Sequence, residues 1–541
     1  ARRPGRAAIA AAFLAVSFGL ALFAESYRST LARGQEDQAS YATPADFVLR
    51  EDLANLVPVT EAVSPGALRD LGPSAEILRR SGDVTRLEGS GVTLLGLPTA
   101  ALRRLEGWRD DFAPLPREEL ARRIAPSGAT SLRGASLPSA AAVLAVTALA
   151  RGDNLTVAAN VETPRGEFVT VPLGQTQSGR TVSLGGDLPQ EARGGQLVGL
   201  TFGIARVAYH DRGEGESVRE PPATTNVTLG ALRAGGAPLD FDYGEWVAGG
   251  GVHLVSGDRS RARMTLILTK EFPGRLRPAQ PTDGHPIPAI VSPRLAAAAS
   301  AGGILPLRLT GDSLRVRVAA VAERFPTAEG EFVVADRDLV STALNSDRPG
   351  AAVVNELWLD VADERVGGAA ARLAAPPYDV LDVRSRAEAL AELRGDPLAR
   401  ATLVTLVGAA AVALGLALLG LVLVAVTAAR DDRVELFDLE AQGVAPATLR
   451  RQLAVRTSAV AALGLLSGLV LGVVLGVIVA DFVTLTAGAT EAEPPLVLDL
   501  DWAVLAVAAI AYLTVAAALC ALVIRGAFRG DEAGRPQEAA A

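Results

Sequence analysis

The sequence predicts a membrane protein of the α-helical class, with four transmembrane helices in a 1+3 order. A large extracytoplasmic α+β domain, carrying an inserted β-sandwich, is predicted between the first helix and the other three. Three observations lead to this prediction: four long apolar runs, arginines gathered at particular ends of those runs, and a middle region of short alternating segments. The chain has 541 residues, 49% of them hydrophobic, and exceeds the roughly 150 residues typical of one domain.

The four apolar runs contain no charged side chain and cover residues 7–24, 401–429, 457–480 and 502–524. A helix needs about 17–25 apolar residues to cross a bilayer, and all four runs reach that length. The first run lies at the short end of the range, so a secretory signal peptide is an alternative for it.

Arginine positions predict the orientation of these runs, because basic residues near span ends stay in the cytoplasm. The loop at 481–501 has no lysine or arginine and holds five acidic residues. The arginines near the span ends are Arg2, Arg3 and Arg6, then Arg430, Arg433, Arg450, Arg451 and Arg456, and finally Arg525, Arg529 and Arg535. We therefore expect a multi-pass protein of the bacterial plasma membrane with both termini cytoplasmic. Trp502 fits an interfacial anchor at an outer span end, although one tryptophan there could also be chance.

These two patterns together give an ordered set of segments. The predicted order is a cytoplasmic N-terminus (1–6), transmembrane helix 1 (7–24), the first part of the α+β core (25–136), the β-sandwich (137–275), the second part of the core (276–400), helix 2 (401–429), a cytoplasmic hairpin (430–456), helix 3 (457–480), an outer loop (481–501), helix 4 (502–524) and a cytoplasmic tail (525–541).

The α+β core is predicted from mixed helix and strand patterns. Residues 25–41 continue the first helix, and residues 116–124 and 385–393 have helical periodicity. Residues 305–309 and 313–318 alternate around a turn and predict a hairpin. A mixture of this kind is typical of an α+β domain.

The inserted sandwich is predicted from short glycine-punctuated strands without helices between them. Tyr209, Tyr243 and Trp246 are the only obvious candidates there for stacking on a sugar, and core packing is the better interpretation. The three histidines, His210, His253 and His285, lack the spacing of metal ligands, so we predict no metal site.

Nothing in the sequence predicts catalysis. The only lysine, Lys270, follows no glycine-rich loop, so the chain cannot hydrolyse ATP through a P-loop. The only cysteine, Cys520, lies in an apolar run and excludes an intramolecular disulfide. We therefore expect a chain that is not an enzyme and holds no cofactor.

Four glycines recur every fourth residue in the third run: Gly464, Gly468, Gly472 and Gly476. At 3.6 residues per turn they form one face, and small residues on a face let another helix approach closely in lipid. General glycine richness is the alternative, since the chain has 54 glycines. The strict register favours a helix-packing face.

The segment 430–456 between the second and third runs predicts a rigid cytoplasmic hairpin. Gly443 suits the end of one helix and Pro446 the first turn of the next. A simple polar connector is the alternative, but the segment is much longer than a tight turn requires.

The stretch Arg433-Val-Glu435, then Gly443, then "LRRQL" (449–453) and the glycine-striped run resemble the FtsX-like permease family of ABC transporters, which includes MacB-type permeases. The resemblance covers residues 401–541 well and 1–50 moderately, and it is to the second four-span half of long actinobacterial members. It implies coupling of ATP binding in a separate cytoplasmic P-loop ATPase, with its ATP and Mg, to movement of the exterior domain. By this resemblance, Arg433, Glu435, Gly443, Arg450 and Arg451 would contact the ATPase.

Other expected partners are a second permease half or second copy, membrane lipid, and an envelope protein, lipoprotein or glycan, but no nucleic acid. The alternative is a membrane-anchored binding or scaffold protein without energised motion. A co-purifying ATPase distinguishes the two.

Overall fold

The computed structural model describes residues 4–64, 66–84, 87, 91–205, 223–268, 273–431, 446–480 and 492–529. The chain divides into two compact units. The first unit joins Ala1–Thr43 to Ser385–Ala541, and the second is Pro44–Arg384.

The helices and strands are numbered in chain order within the described residues. The helices are α1 (Pro4–Ala42), α2 (Val59–Ala62), α3 (Thr99–Arg104), α4 (Arg117–Ile124), α5 (Pro293–Ala298), α6 (Arg337–Asp347), α7 (Val366–Leu373), α8 (Arg386–Gly395), α9 (Pro397–Asp431), α10 (Pro446–Ala480) and α11 (Trp502–Arg529). The strands are β1 (Phe47–Glu51), β2 (Ser74–Val84), β3 (Val92–Leu97), β4 (Ala135–Ser136), β5 (Val143–Arg151), β6 (Leu155–Glu162), β7 (Phe168–Gln175), β8 (Thr181–Asp187), β9 (Gln196–Ile204), β10 (Ala223–Gly230), β11 (Arg233–Ala234), β12 (Ala237–Pro238), β13 (Trp246–Gly249), β14 (Val252–Gly257), β15 (Arg261–Leu268), β16 (Gly274–Pro278), β17 (Ile287–Val291), β18 (Ile304–Leu309), β19 (Asp312–Val321), β20 (Glu331–Asp336), β21 (Glu356–Leu359) and β22 (Leu381–Ser385).

Four helices of the first unit are long and apolar enough to cross a membrane, which confirms the prediction of four apolar helices. The segments are Ala11–Ala42 of α1, Pro397–Val424 of α9, Ser458–Gly476 of α10 and Trp502–Leu522 of α11. Large apolar side chains stay exposed on three of them, including Val404 (71%), Val470 (64%) and Val507 (68%). Apolar faces of this size are unfavourable in water and suit a lipid environment.

The helix α1 runs well beyond its apolar segment, as the sequence predicts. Its 39 residues span about 58 Å at 1.5 Å per residue, whereas a bilayer core is about 30 Å thick. The helix ends at Ala42 because Pro44 disfavours a helical conformation at Thr43.

The α-helical class describes only the first unit, and in this respect the predicted fold class was too narrow. The second unit is built mainly from three β-sheets of nine, seven and six described strands. Apolar and polar residues alternate with period two through most of this unit, and that pattern favours strands over helices.

The α+β part of the second unit contains the nine-stranded sheet, in the order β18-β19-β17-β20-β3-β2-β21-β1-β22. Because β18 also pairs with β2, six of these strands close into a ring. One residue from each strand in the core of that ring is Leu78, Leu94, Ala289, Leu307, Val316 and Val333. The predicted hairpin at 305–318 is confirmed as the antiparallel pair β18–β19.

A buried charge cluster joins β1, β2 and β21. Glu356 is 2% exposed, and its carboxylate accepts hydrogen bonds from Arg79 Nε (2.5 Å) and Trp358 Nε1 (3.2 Å). Arg50 Nε lies 3.0 Å from the same carboxylate. Burial lowers the pKa of Arg50, although Glu356 opposes that effect. Arg79 also donates to Thr327 O and Oγ1 (2.9 and 2.7 Å), so one carboxylate organises two guanidinium groups and a turn.

The inserted sandwich consists of the other two sheets. One contains β12-β11-β5-β10-β15-β14 with β8 on β5, and the other contains β13-β16-β9-β6-β7 with β4 on β9. Apolar residues of both sheets form a single core. Tyr243 is fully buried and Trp246 is 6% exposed, with ring centroids 5.6 Å apart, which confirms core packing for these two aromatics.

The sandwich begins and ends at one joint. The Gln280 side chain accepts from Arg133 N–H (2.7 Å) and donates to Arg133 O (2.8 Å), so it pairs with the opposite linker as a strand would. Arg277 donates twice to Asp283 at 2.8 Å and lies 3.4 Å from Asp347 of α6. Burial would raise the pKa of Asp283, but hydrogen bonds from Arg277 and from the Gln280 amide hold it below its usual value.

Element bounds differ from the predicted ones at several ends. The sandwich strands run from Ala135 to Pro278 rather than over 137–275, because β4 and β16 pair with β9 up to the joint. All four membrane-type helices extend past their apolar runs, since helical hydrogen bonding continues into polar residues. Residues 432–445, 481–491 and 530–541 of the predicted hairpin, outer loop and tail lie outside the described residues.

Candidate functional site

The predicted ATPase-contacting residues are described only in part. Arg433, Glu435 and Gly443 lie outside the described residues. Arg450 and Arg451 lie near the start of α10, where Arg451 is exposed.

The same helix carries the four glycines. Helix α10 is continuous over 35 residues, from Pro446 to Ala480, so no break separates the arginine pair from the glycine face. From Arg451 to Gly464 the axial distance is about 20 Å at 1.5 Å per residue. A displacement of the arginine end would therefore be carried along the helix to the glycines.

The glycine face lies against α1, and we call this contact the glycine seam. A Cβ atom at Gly464 would stand 2.6 Å from Leu14 Cβ, and one at Gly468 would stand 2.8 Å from Ala15 O. A Cβ at Gly472 would stand 2.8 Å from Leu22 Cβ. Real Cβ atoms do not approach other atoms so closely, so three of the four positions accept only glycine without a shift. Gly476 is less tight, with 3.7 Å to Leu498 Cδ1.

The seam also fixes how the two helices run. Its contacts advance along both chains, from Leu14 at Gly464 to Leu22 at Gly472, so α1 and α10 are parallel. A Cβ at Gly19 would stand 3.2 Å from Gly468 O, and this pair is where the two backbones come very close. Dispersion contacts from such close approach hold helices together in lipid.

Sequence reasoning identified the glycines but not their partner. On α1, Ala11, Ala15 and Gly19 also recur every fourth residue. This small-residue spacing is the signal that would have named α1.

A second contact binds the outer loop to α1, and we call residues 492–501 the strap. Tyr41 Oη donates to Glu493 Oε1 (3.1 Å), and a side chain at Gly34 would collide with Leu496. The strap therefore follows the part of α1 beyond its apolar segment.

The strap is fastened at its other end by Asp499. Ser29 Oγ donates to Asp499 O (2.6 Å), and Asp499 N–H donates to Thr30 Oγ1 (3.0 Å). Two residues later, Asp501 Oδ1 accepts from Ala503 N–H and Val504 N–H (3.1 and 3.0 Å) and caps the first turn of α11. Through the seam and the strap, α1 is tied to both α10 and the start of α11.

We expect the double substitution Ser29→Ala/Thr30→Val to release the strap. Each lost hydrogen bond contributes on the order of 1 kcal/mol, so amide exchange around Asp499 should rise roughly tenfold. Hydrogen–deuterium exchange in detergent measures this. Thr402→Val is the matched control, because that hydroxyl bonds only within its own helix, to Leu398 O. Unchanged exchange at 492–501 in the double variant would contradict the role of these two hydroxyls.

The described residues contain no group of three or more His, Cys, Asp and Glu side chains able to hold a metal ion. His253 and His285 are exposed, while Tyr209, His210 and Lys270 lie outside the described residues. What the described part of the first unit offers is therefore a set of mechanical contacts.

The chain matches no protein-family model and no curated protein sequence. The resemblance to FtsX-like permeases thus stays a prediction from the motifs quoted above.

Proposed function

We propose that this chain is the permease subunit of an ABC transporter. In this proposal, ATP binding in a separate cytoplasmic ATPase moves α10, and α10 moves α1 and the extracytoplasmic domain. The movement serves export or extraction of an envelope-located substrate, or mechanical signalling to envelope partners. The chain itself carries out no ATP hydrolysis.

The continuous helix α10 supports this proposal most strongly. One of its ends bears Arg450 and Arg451, and its middle bears the glycine seam. A seam of glycines against backbone atoms has little compliance, because there are no side chains to change rotamer. A push on the arginine end is therefore passed to α1 rather than absorbed.

The course of α1 provides the second support. Helix α1 continues as a rigid rod for the residues after Ala24, and only four residues separate Ala42 from the first strand at Phe47. A stiff helix that runs directly into a strand can transmit movement, whereas a long flexible linker would dissipate it.

The apolar surfaces of α9, α10 and α11 support a plasma-membrane location, with lipid or a second permease half as neighbours. The absence of positive charge in 481–501 supports cytoplasmic termini and an extracytoplasmic second unit.

Reversal of charge at the arginine pair tests the proposal. We expect Arg450→Glu/Arg451→Glu to reduce recovery of a P-loop ATPase at least tenfold when the tagged chain is purified in mild detergent. The matched control is Arg103→Glu/Arg104→Glu, an adjacent exposed pair on α3. Membrane insertion should be the same for both variants.

The alternative, an anchored binding or scaffold protein, gives a different result in the same experiment. No ATPase would then be recovered with the unaltered chain. Recovery that is equal for the unaltered chain and the 450/451 variant would show that the contact lies elsewhere.

A further inference from the structure

The turn after β1 exposes two leucines. Leu53 is 87% exposed and Leu56 is 65% exposed, although both are large apolar side chains. Leaving a leucine in water rather than burying it costs about 1.5–3 kcal/mol. Two such residues four positions apart form an apolar projection on the second unit.

This turn is held firmly in shape. Asp52 accepts from Leu56 N–H at its carbonyl (2.8 Å) and from Ala54 N–H at its carboxylate (3.0 Å). The Asn55 side chain donates to Asp52 Oδ2 (2.7 Å) and to Val380 O (3.2 Å). Leu56 adopts φ 55°, a left-handed conformation that costs about 1–2 kcal/mol in a residue with a Cβ. A strained and exposed leucine on a well-bonded turn marks a functional surface.

An open cleft of about 620 Å³ lies beside the leucines. Its volume falls within the range of roughly 300–1,000 Å³ seen for ligand sites. It is lined by Arg50, Glu51, Asp52, Leu53, Leu373, Ala374, Asp379, Leu381, Asp382 and Val383.

The cleft has an excess of negative charge, with four carboxylates and one guanidinium in its lining. Arg50 is engaged by the buried Glu356, and Asp382 pairs with Arg384 at 3.0 Å. Glu51 and Asp379 are exposed and have no hydrogen-bond or ion-pair partner among the residues that the structure describes. Their charge is available to an incoming cation.

The strand beside the cleft is also the last of its sheet. Within the described residues, β22 pairs only with β1, so its other edge offers unpaired backbone groups. Edge strands of this kind bind extended peptides by adding one more strand.

We propose that this cleft, with Leu53 and Leu56 at its margin, docks an extended segment of another protein that alternates basic and branched apolar residues. Apolar side chains of the segment would cover Leu53 and Leu56, and its basic side chains would pair with Glu51 and Asp379. An anionic membrane surface fits less well, because lipid phosphates would face these carboxylates. The inference goes beyond the transporter proposal and does not depend on it, since a chain that never moves would present the same cleft.

A fluorescent reporter on the exposed turn tests this docking. Ala54→Cys in a Cys520→Ala background is labelled with an environment-sensitive dye on the full chain in nanodiscs. The probes are an alternating leucine–arginine hexapeptide, the matching leucine–glutamate hexapeptide, and phosphatidylglycerol vesicles. We expect a saturable blue shift with the leucine–arginine peptide alone, weakened as ionic strength rises.

Variants identify the groups responsible. Leu53→Ser/Leu56→Ser and Glu51→Gln/Asp379→Asn should each weaken peptide binding at least tenfold. Val255→Ser, on the sandwich, is the control, because Val255 is 69% exposed and should not affect binding. The proposal is overturned if the peptide does not bind at about 1 mM, if the glutamate peptide binds equally, or if only the vesicles shift the dye. The ATPase pull-down described above would be unaffected by any of these results.

Discussion

Gly468→Leu is expected to force α1 and α10 apart and to lower the thermal stability of the purified chain. Even a Cβ at this position would stand 2.8 Å from Ala15 O and 2.9 Å from Phe18 Cβ, so a leucine has no room without movement of a backbone. Overpacking of this kind costs about 1–3 kcal/mol or more. Gly472→Leu should have a similar effect, because a Cβ there would stand 3.0 Å from Gly19 O. The measurement is the melting temperature in detergent.

The matched control for both variants is Gly408→Leu on α9. A Cβ at Gly408 meets no atom within 4 Å, so this leucine enters open space in the same kind of helix. We expect it to melt like the parent. If the two seam variants also melt like the parent, close packing of α1 on α10 does not stabilise the chain.

Glu356→Gln is expected to have the other large effect, this time on the second unit. The substitution leaves Arg50 and Arg79 partly buried without a counter-charge, since the cluster then has no carboxylate. Removing one partner of a buried ion pair costs about 3–5 kcal/mol. At about 2–4 °C per kcal/mol for a domain of this size, the melting transition of the unit should fall by on the order of 10 °C.

Glu76→Gln is the control for this prediction. Glu76 lies on β2 near the cluster and pairs with Arg337 at 2.7 Å, but its side chain is 49% exposed. Exposed pairs of this kind contribute only about 0–1 kcal/mol. Equal melting of the Glu356 and Glu76 variants would mean that solvent, not Glu356, screens the two arginines.

The charge cluster also explains which strands the sequence revealed. The hairpin β18–β19 alternates cleanly, because one face is buried and the other is solvated, and it was predicted. Strand β2 was not, because Arg79 and Arg80 interrupt its alternation. Their burial becomes understandable only through Glu356, which lies far along the chain and cannot be matched to them by local pattern.

The candidate site divides in the same way. Periodicity alone identified the glycine face, because a helix repeats its contacts every three or four residues. The strap carries no period, and its acidic residues read as an ordinary outer loop. Its hold on α1 depends on single side chains such as Tyr41 and Ser29, whose partners are set by tertiary structure.

The joint at Gln280 has an evolutionary consequence. Arg133 and Gln280 are 147 positions apart, yet one amide group spans the gap between them. Any domain whose two ends lie equally close can occupy that gap without altering the ring of strands on the other side. The sandwich is therefore a replaceable cassette, and lineages can exchange it, enlarge it or lose it while the rest of the second unit keeps its shape.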